Sequence, residues 1–142
     1  MDEEKKVYID ANIFIYAAIN RNEEGELSRK VLEKVKEGKL KAYTSALTFD
    51  EVFWKVKKER SKDDAIKISG AFLHFPNLRF IDVTYEITLL SLRIIKKYNL
   101  KPRDAIHAAC CLVNNINTII TEDVDFDRVK ELTRKSLRQF KA

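Results

Sequence analysis

The chain has 142 residues, of which 45% are apolar and 35% are charged, and its formal net charge is +5. This length suits a single domain over residues 1–142 that is large enough to bury an apolar core. No apolar run approaches the roughly 18 residues that a membrane span needs. A secretory leader is not expected because residues 2–4 are acidic, and the adjacent pair Cys110 and Cys111 cannot form a disulfide framework. We therefore expect a protein of the reducing cytoplasm without a membrane partner.

The positive charge is concentrated near the end of the chain. Residues 128–142 contain six basic side chains and one acidic side chain, whereas the charges of residues 1–127 balance. A basic stretch of this kind can contact a polyanion such as RNA, or it can be a solvated surface segment. The sequence leaves both interpretations open.

Short β-type runs alternate with longer helical runs. In the first half of the chain, the pattern predicts a strand over 7–9, helices over 12–19 and 27–35, a strand over 42–44, and helices around 52–56 and over 61–72. In the second half it predicts a strand over 78–83, helices over 84–95 and 103–113, and a strand over 118–121. A short helix over 126–132 and an edge strand over 137–140 complete the prediction. This alternation predicts an α/β fold, namely a three-layer α/β/α sandwich with a mostly parallel central sheet. In such sheets the chemistry collects at the carboxyl ends of the strands.

Two aspartates follow predicted strands directly. Asp10 comes after the first strand and Asp123 after the fourth, so both are candidates for a site at the strand ends. Mg²⁺ and Mn²⁺ prefer carboxylate oxygens, and two histidines are too few for a histidine-rich zinc site. Each aspartate also has a purely structural interpretation, Asp10 as a helix N-cap and Asp123 as a turn residue.

Two further acids lie near predicted helix starts. Glu51 forms a capping-box pattern with Thr48, which explains a glutamate there without any activity. Asp104 lies in a first helical turn followed by small apolar residues, where an inward carboxylate is costly unless a metal or a partner meets it. His107, one turn later, is expected to be a hydrogen-bonded core residue, with a contact to substrate or water as the alternative.

Several other reactive or aromatic side chains have a packing interpretation. Cys110 and Cys111 are predicted to be small buried hydrophobes, because no histidine or acid is placed to activate them. Phe53 and Trp54 are also expected to pack. Tyr16 either lines a cleft or belongs to an apolar helix stripe.

Four acidic segments, taken together and in order, resemble the PIN domain, a nuclease family that includes VapC-type toxins. The segments are VYIDAN (residues 7–12), SALTFDE (45–51), KPRDA (101–105) and TEDVDF (121–126). They span most of the chain but leave the basic C-terminal stretch outside the resemblance. The fold of the family, a parallel sheet between helices, agrees with the pattern of strands and helices above.

The resemblance implies a set of site residues and a cofactor. Its acidic cluster would be Asp10, Glu51, Asp104 and Asp123. Of these, Asp10, Asp104 and Asp123 would bind Mg²⁺ or Mn²⁺, while Glu51 would orient the attacking water or complete the shell. The supporting positions would be Asn12, Thr121 and Asp125. Beside this set, Lys101 and Arg103 flank Pro102 and are either candidate RNA contacts or solvated surface residues.

The function implied by the resemblance is that of a divalent-metal-dependent ribonuclease. In-line attack of water would leave a 5′-phosphate and a 3′-hydroxyl, and single-stranded or looped RNA is the expected substrate. One bare domain suits a toxin held by a small antitoxin protein, and a homodimer is expected from the family. A housekeeping RNA-processing nuclease and a catalytically silent RNA- or protein-binding module are the alternatives. A phosphatase that opens with Asp-x-Asp is disfavoured because Asn12 stands at the second position.

Overall fold

Five parallel strands form the centre of the structure, a computed structural model that describes residues 5–140. The described part excludes residues 1–4 and 141–142. The expectation about a secretory leader concerns residues 1–4 and therefore lies outside it. The strands are β1 (Lys6–Ile9), β2 (Lys41–Ser45), β3 (Leu78–Ile81), β4 (Thr118–Ile120) and β5 (Thr133–Lys135). They lie in the order β3-β2-β1-β4-β5, so β1 is central and pairs in parallel with β2 and β4.

Within residues 5–140, six α-helices connect the strands. They are α1 (Ala11–Ile19), α2 (Glu23–Lys36), α3 (Ala46–Glu59), α4 (Lys62–Leu73), α5 (Tyr85–Tyr98) and α6 (Pro102–Val113), and a short 3-10 helix follows over Val124–Arg128. In residues 5–140 no helix combines the length and the apolar character that crossing a membrane requires.

The side chains of β1 alternate between two cores. Val7 and Ile9 pack with buried residues of α1, α2, α3 and α4, whereas Tyr8 packs with buried residues of α5 and α6. This alternation follows from the period of two along a strand, which sends neighbouring side chains to opposite faces. Helices therefore cover both faces of the sheet. The predicted three-layer sandwich is confirmed, and its sheet is wholly parallel.

Polar side chains and one left-handed residue define several helix ends. Ser61 accepts a hydrogen bond from the backbone N–H of Asp64 at 3.0 Å where α4 begins, and Thr84 accepts one from Ile87 at 3.2 Å where α5 begins. These are N-caps, which satisfy backbone donors that have no partner within the helix. At its other end α5 stops at Asn99, whose φ of 55° lies in the left-handed region.

The last part of the described chain differs from the sequence prediction. The short helix expected over 126–132 is the 3-10 helix over Val124–Arg128, and the edge strand is β5, not residues 137–140. The helical turn begins early because the carboxylate of Asp123 accepts a hydrogen bond from the backbone N–H of Asp125 at 3.0 Å. The strand was missed because its three residues are polar and carry no apolar alternation.

Helix α3 also begins earlier than its apolar stripe predicts. Its first residue, Ala46, directly follows β2, so Thr48 lies inside the helix and not at its N-cap. The hydroxyl of Thr48 pairs with the hydroxyl of Thr44 at 2.8 Å. The predicted capping box of Thr48 and Glu51 is therefore wrong, and helix capping does not explain the presence of Glu51.

Candidate metal centre and active site

The carboxyl ends of the central strands open into a polar cleft. Asp10 and Asp123 follow β1 and β4, Glu51 lies in the second turn of α3, and Asp104 lies in the first turn of α6. All four line one cavity of about 290 Å³, together with Ala11, Asn12, Ile15, Tyr16, Trp54, Lys55 and Arg103. The four acids that the sequence singles out thus share one cleft, although up to 113 residues separate them in the chain.

The hydroxyl of Thr121 joins the strand ends below this cleft. It donates to Asp10 Oδ2 at 2.7 Å, and it accepts from the side-chain amide of Asn12 and the backbone N–H of Asp123, both at 3.0 Å. These three bonds use the full capacity of a hydroxyl group. Asp10 Oδ1 also accepts a hydrogen bond from the backbone N–H of Ala11 at 2.7 Å. Asp10 is therefore both the N-cap of α1 and a wall of the cleft.

His107 connects the cleft to the interior. Its Nε2 lies 2.5 Å from Glu51 Oε1 and 3.6 Å from Asp10 Oδ1, and its Nδ1 lies 2.6 Å from the hydroxyl of Tyr8. The hydroxyl of Tyr8 also lies 2.9 Å from Ser45 Oγ, so a chain of hydrogen bonds runs from Ser45 through Tyr8 to His107. The adjacent carboxylates of Glu51 and Asp10 favour the protonated, positively charged form of this ring. The expectation of a buried, hydrogen-bonded histidine is confirmed, but its contact with two acids carries no sequence signal.

The acids fall into two adjoining groups. Oxygen or nitrogen atoms of Asp10, Glu51 and His107 lie within 4.8 Å of one another, and so do carboxylate oxygens of Asp104, Asp123 and Asp125. Asp125 lies on the 3-10 helix, with its Oδ1 also 3.4 Å from Arg128. Asp125, which the family resemblance gives as a supporting position, is therefore part of the second group.

Burial and mutual repulsion perturb this cluster. Burial, followed by the negative charges of Asp123 and Asp10, raises the pKa of Asp104 to about 7. Burial also raises the pKa of Asp10, against the opposing effects of His107 and of the hydrogen bond from Thr121. For His107, burial lowers the pKa, but the hydrogen bond to Glu51 and the nearby acids outweigh it and leave the pKa raised. The free cluster thus tolerates its negative charge poorly.

The donor set fits a hard divalent cation. Asn12 Oδ1 is buried and finds no hydrogen-bond donor among residues 5–140, although the amide nitrogen of the same side chain is anchored to Thr121. A buried acceptor without a donor, beside carboxylates that repel one another, is the environment that a cation or its bound water satisfies. Apart from His107, whose Nε2 lies 2.5 Å from Glu51 Oε1, the available ligands are all oxygens, and oxygen ligands are the preference of Mg²⁺ and Mn²⁺.

The two candidate RNA contacts lie in different places. Arg103 lines the cleft, and its guanidinium is 3.7 Å from the carboxylate of Asp50. Lys101 is exposed just before α6 and does not line the cleft.

Much of the basic C-terminal stretch is paired with acids. Arg128, Arg134 and Arg138 form ion pairs with Asp125, Asp127 and Glu23, respectively. Arg134 also donates to the backbone carbonyl of Thr121 at 3.1 Å. These contacts favour the interpretation of this stretch as a surface segment that is anchored to the fold.

The outcome differs among the remaining side chains that the sequence singled out. Cys110 and Cys111 are buried thiols as predicted, and burial raises the pKa of Cys110 to about 11. Tyr16 lines the cleft. The prediction that Trp54 packs in the interior is wrong, since its side chain is 55% exposed. Val52 and Val56 occupy the buried face of α3, and Trp54 lies outside that face.

Comparisons with known proteins agree with this architecture. The family model described as PIN domain matches residues 7–132. Ribonuclease VapC2 of Methanocaldococcus jannaschii is 30% identical over 139 residues, which cover 89% of this chain and 91% of that protein.

Solved structures share the fold at low sequence identity. VapC20 of Mycobacterium tuberculosis, a sarcin-ricin loop cleaving toxin, has a TM-score of 0.74 at 12% identity, with 87% of this chain and 95% of that chain covered. VapBC2 from Rickettsia felis bound to a promoter DNA fragment has a TM-score of 0.71 at 19% identity, with 92% and 98% covered. The resemblance found in the four acidic segments is confirmed: the chain belongs to the PIN domain family.

Proposed function

We propose that this protein is a divalent-metal-dependent endoribonuclease and the toxin of a toxin–antitoxin pair. The observation that carries the proposal is the meeting of Asp10, Glu51, Asp104 and Asp123 in one cleft of a PIN fold. The relationship to Ribonuclease VapC2 supports the ribonuclease activity. Residues 1–142 would act as a single nuclease domain on cytoplasmic RNA.

Three of the four acids would bind the cation, and Glu51 would act on the attacking water. Asp10, Asp104 and Asp123 would hold Mg²⁺ or Mn²⁺, and Asn12 Oδ1 would face the same ion or its water. When bound, the cation supplies positive charge for the reacting phosphate and lowers the pKa of water. Thr121 fixes the carboxylate of Asp10 through its 2.7 Å hydrogen bond, and Asp125 adds negative charge beside Asp123.

Glu51 would orient the attacking water and accept its proton. His107 holds the carboxylate of Glu51 through Oε1, so Oε2 would be the oxygen that meets the water in the cleft that Glu51 lines. The water oxygen forms a bond to phosphorus, and the bond from phosphorus to the 3′ oxygen breaks. That oxygen takes a proton from solvent, so the products carry a 5′-phosphate and a 3′-hydroxyl. Arg103, at the cleft wall, would contact a neighbouring phosphate.

Cleavage of labelled single-stranded RNA tests this proposal. We expect cleavage with Mg²⁺, its loss in EDTA and its return with Mn²⁺. Asp10→Asn should lower the rate at least about a hundredfold, because it removes a charged ligand. Asp63→Asn, an exposed acid on α4 outside the cleft, is the matched control and should retain the activity. Full activity in EDTA would remove the metal from the mechanism.

A second surface suits the proposed antitoxin. A groove of about 390 Å³ lies between α1, α2, α3 and α4 and is lined mainly by apolar side chains, including Phe14, Leu32, Ile68, Phe72 and Phe75. Such a groove fits the apolar face of an amphipathic helix. The structural neighbours include a toxin–antitoxin complex from Klebsiella pneumoniae and DNA-bound VapBC from Salmonella typhimurium. We therefore assign the antitoxin to this groove.

Measuring the growth of a host cell that expresses the chain distinguishes a toxin from a housekeeping nuclease. Expression of the chain should arrest growth, and co-expression of a small protein encoded next to its gene should relieve the arrest. Ala71→Glu, which places a charge in the groove, should prevent that relief. Growth that continues without any partner would favour the housekeeping alternative.

The homodimer expected from the family has a candidate surface on α5. Tyr85, Leu89 and Leu92 share one face of this helix at spacings of four and three residues, and they are 77%, 50% and 68% exposed. An exposed apolar stripe of this kind is typical of a protein interface. Light scattering should give twice the chain mass, and Leu92→Glu should give the mass of one chain. A parent protein that shows the mass of one chain at all concentrations would contradict the dimer.

A further inference from the structure

Trp54 is the single tryptophan of the chain, and it lies in the wall of the acidic cleft. Its side chain is 55% exposed. Tryptophan is highly buried on average, so an exposed indole beside a cluster of four acids is unusual. Neither the proposed cation ligands nor the water-handling role of Glu51 requires an aromatic ring at this position.

Positive charges lie beside this ring and along the same cleft. The ammonium group of Lys58 lies 5.0 Å from the centroid of the indole, within the range of a cation–π contact. Lys55 and Arg103 line the same cleft. The ion pairs that these two side chains make, Lys55 with Glu59 and Arg103 with Asp50, are surface pairs of small net strength. A polyanion can therefore recruit both groups at low cost.

The cleft thus combines three chemically distinct parts. Its centre is negative and suits a cation that meets one phosphate. Lys55 and Arg103 add positive, partly exposed side chains to the lining, which suit neighbouring phosphates. Trp54, which precedes Lys55 in α3, offers an aromatic surface in the same lining. Aromatic rings between basic side chains are the typical recognition surface for single-stranded nucleic acid, because every unpaired base has a face that can stack.

We infer that Trp54 stacks on an unpaired RNA base next to the phosphate that is cleaved, so that the cleft selects single strands and loops over duplexes. This inference rests on the proposed ribonuclease function and adds a specificity-determining residue to it. Duplex bases already stack on one another and cannot present a face to the indole. Because an indole stacks on any base, Trp54 selects unpaired RNA without selecting a base sequence.

Fluorescence reports on this contact directly, since all tryptophan emission comes from Trp54. The Asp104→Asn protein, in which a ligand is removed to prevent cleavage, is titrated with oligouridylate and oligoadenylate hexamers in Mg²⁺ and, separately, with a blunt RNA duplex. We expect saturable quenching by both hexamers and no quenching by the duplex. Hexamers that bind, as measured by the anisotropy of a label on the RNA, without changing the emission would overturn the inference. Emission that is shifted only by an added antitoxin would overturn it in favour of a protein partner at this position.

Steady-state cleavage by the otherwise unchanged protein gives an independent test. Trp54→Ala should raise KM for a single-stranded substrate about tenfold or more while kcat changes little, and Trp54→Phe should restore most of the affinity because it keeps a ring. Ile66→Ala on α4 is the matched control. The side chain of Ile66 is 54% exposed, which is similar to the exposure of Trp54, and it lies outside the cleft. Circular dichroism checks that each variant is folded.

The two proposals fail in different ways. Equal KM values for Trp54→Ala and the parent protein would end the stacking role while the ribonuclease function stands. A parent protein that cleaves no RNA with either Mg²⁺ or Mn²⁺ would end the proposed function itself, and the stacking role with it.

Discussion

Thr121 Oγ1 lies 2.7 Å from Asp10 Oδ2, and this hydrogen bond follows from the register of two parallel strands. Ile9 of β1 pairs with Ile120 of β4, so the next residue of each strand, Asp10 or Thr121, emerges at the same level of the sheet. The backbone N–H of Asp10 also donates to the carbonyl of Ile120 at 3.1 Å. The cleft is therefore assembled by strand pairing, and a shift of one residue would send one of these side chains to the other face.

Thr121→Val tests this link while keeping the branched shape of the side chain. The change leaves the backbone N–H of Asp123 without its acceptor, leaves the Asn12 amide with only its 3.4 Å hydrogen bond to Asp10 Oδ2, and removes the donor to Asp10. We expect the free energy of unfolding to fall by about 1–3 kcal/mol and the cleavage rate to fall with it. Thr118→Val, on the same strand but outside the cleft lining, is the control. Urea denaturation that gives equal losses for both variants would contradict a special role of Thr121.

The fold and the four acids could be predicted from local patterns. The β-branched runs before Asp10 and Asp123 mark central strands of the sheet, and the order of the acidic segments carries the family resemblance. Asp104 stands out because a carboxylate precedes small apolar residues on a helix. In each of these cases the signal lies within a few neighbouring residues.

Long-range contacts account for what the sequence could not predict. His107 meets Glu51 across 56 residues and Tyr8 across 99, and no spacing rule connects them. The exposure of Trp54 depends on which side of α3 faces the sheet, and the helix starts six residues before its apolar stripe. The polar strand β5 is defined by pairing with β4, which a pattern of side chains does not reveal.

Tyr8→Phe tests whether the interior holds Glu51 in place. The variant keeps the buried ring but removes the hydroxyl that joins His107 to Ser45. His107 Nδ1 then lacks its partner in a site with no exposed surface, so we expect a loss of stability of about 1–3 kcal/mol. We also expect kcat to fall about tenfold with little change in KM, since Glu51 would no longer be fixed towards the water. Tyr43→Phe on β2, a partly buried tyrosine outside the cleft, should change neither quantity.

Asp104→Asn tests the electrostatic strain of the metal-free cluster. The pKa of Asp104 is raised from 3.8 to about 7 in the folded protein. Between these values the folded state binds more protons than the unfolded state, so the contribution of this group to stability falls as the pH rises towards 7 and is constant above it. In EDTA the variant should gain stability over the parent between pH 5 and pH 8, by about 2 kcal/mol once solvent screening is allowed for. Asp63→Asn should differ from the parent by the same amount at both pH values.

Divalent cations should stabilise the folded protein through the same carboxylates. The cation binds the assembled cluster and not the unfolded chain, so Mn²⁺ at a hundred times its dissociation constant should add about 2.7 kcal/mol to the free energy of unfolding. The raised pKa of Asp104 makes protons compete with the cation, and the stabilisation should therefore be larger at pH 8 than at pH 6. Thermal unfolding at constant ionic strength measures both effects. An equal gain in the Asp10→Asn variant, or a gain that ignores pH, would place the bound cation outside this cleft.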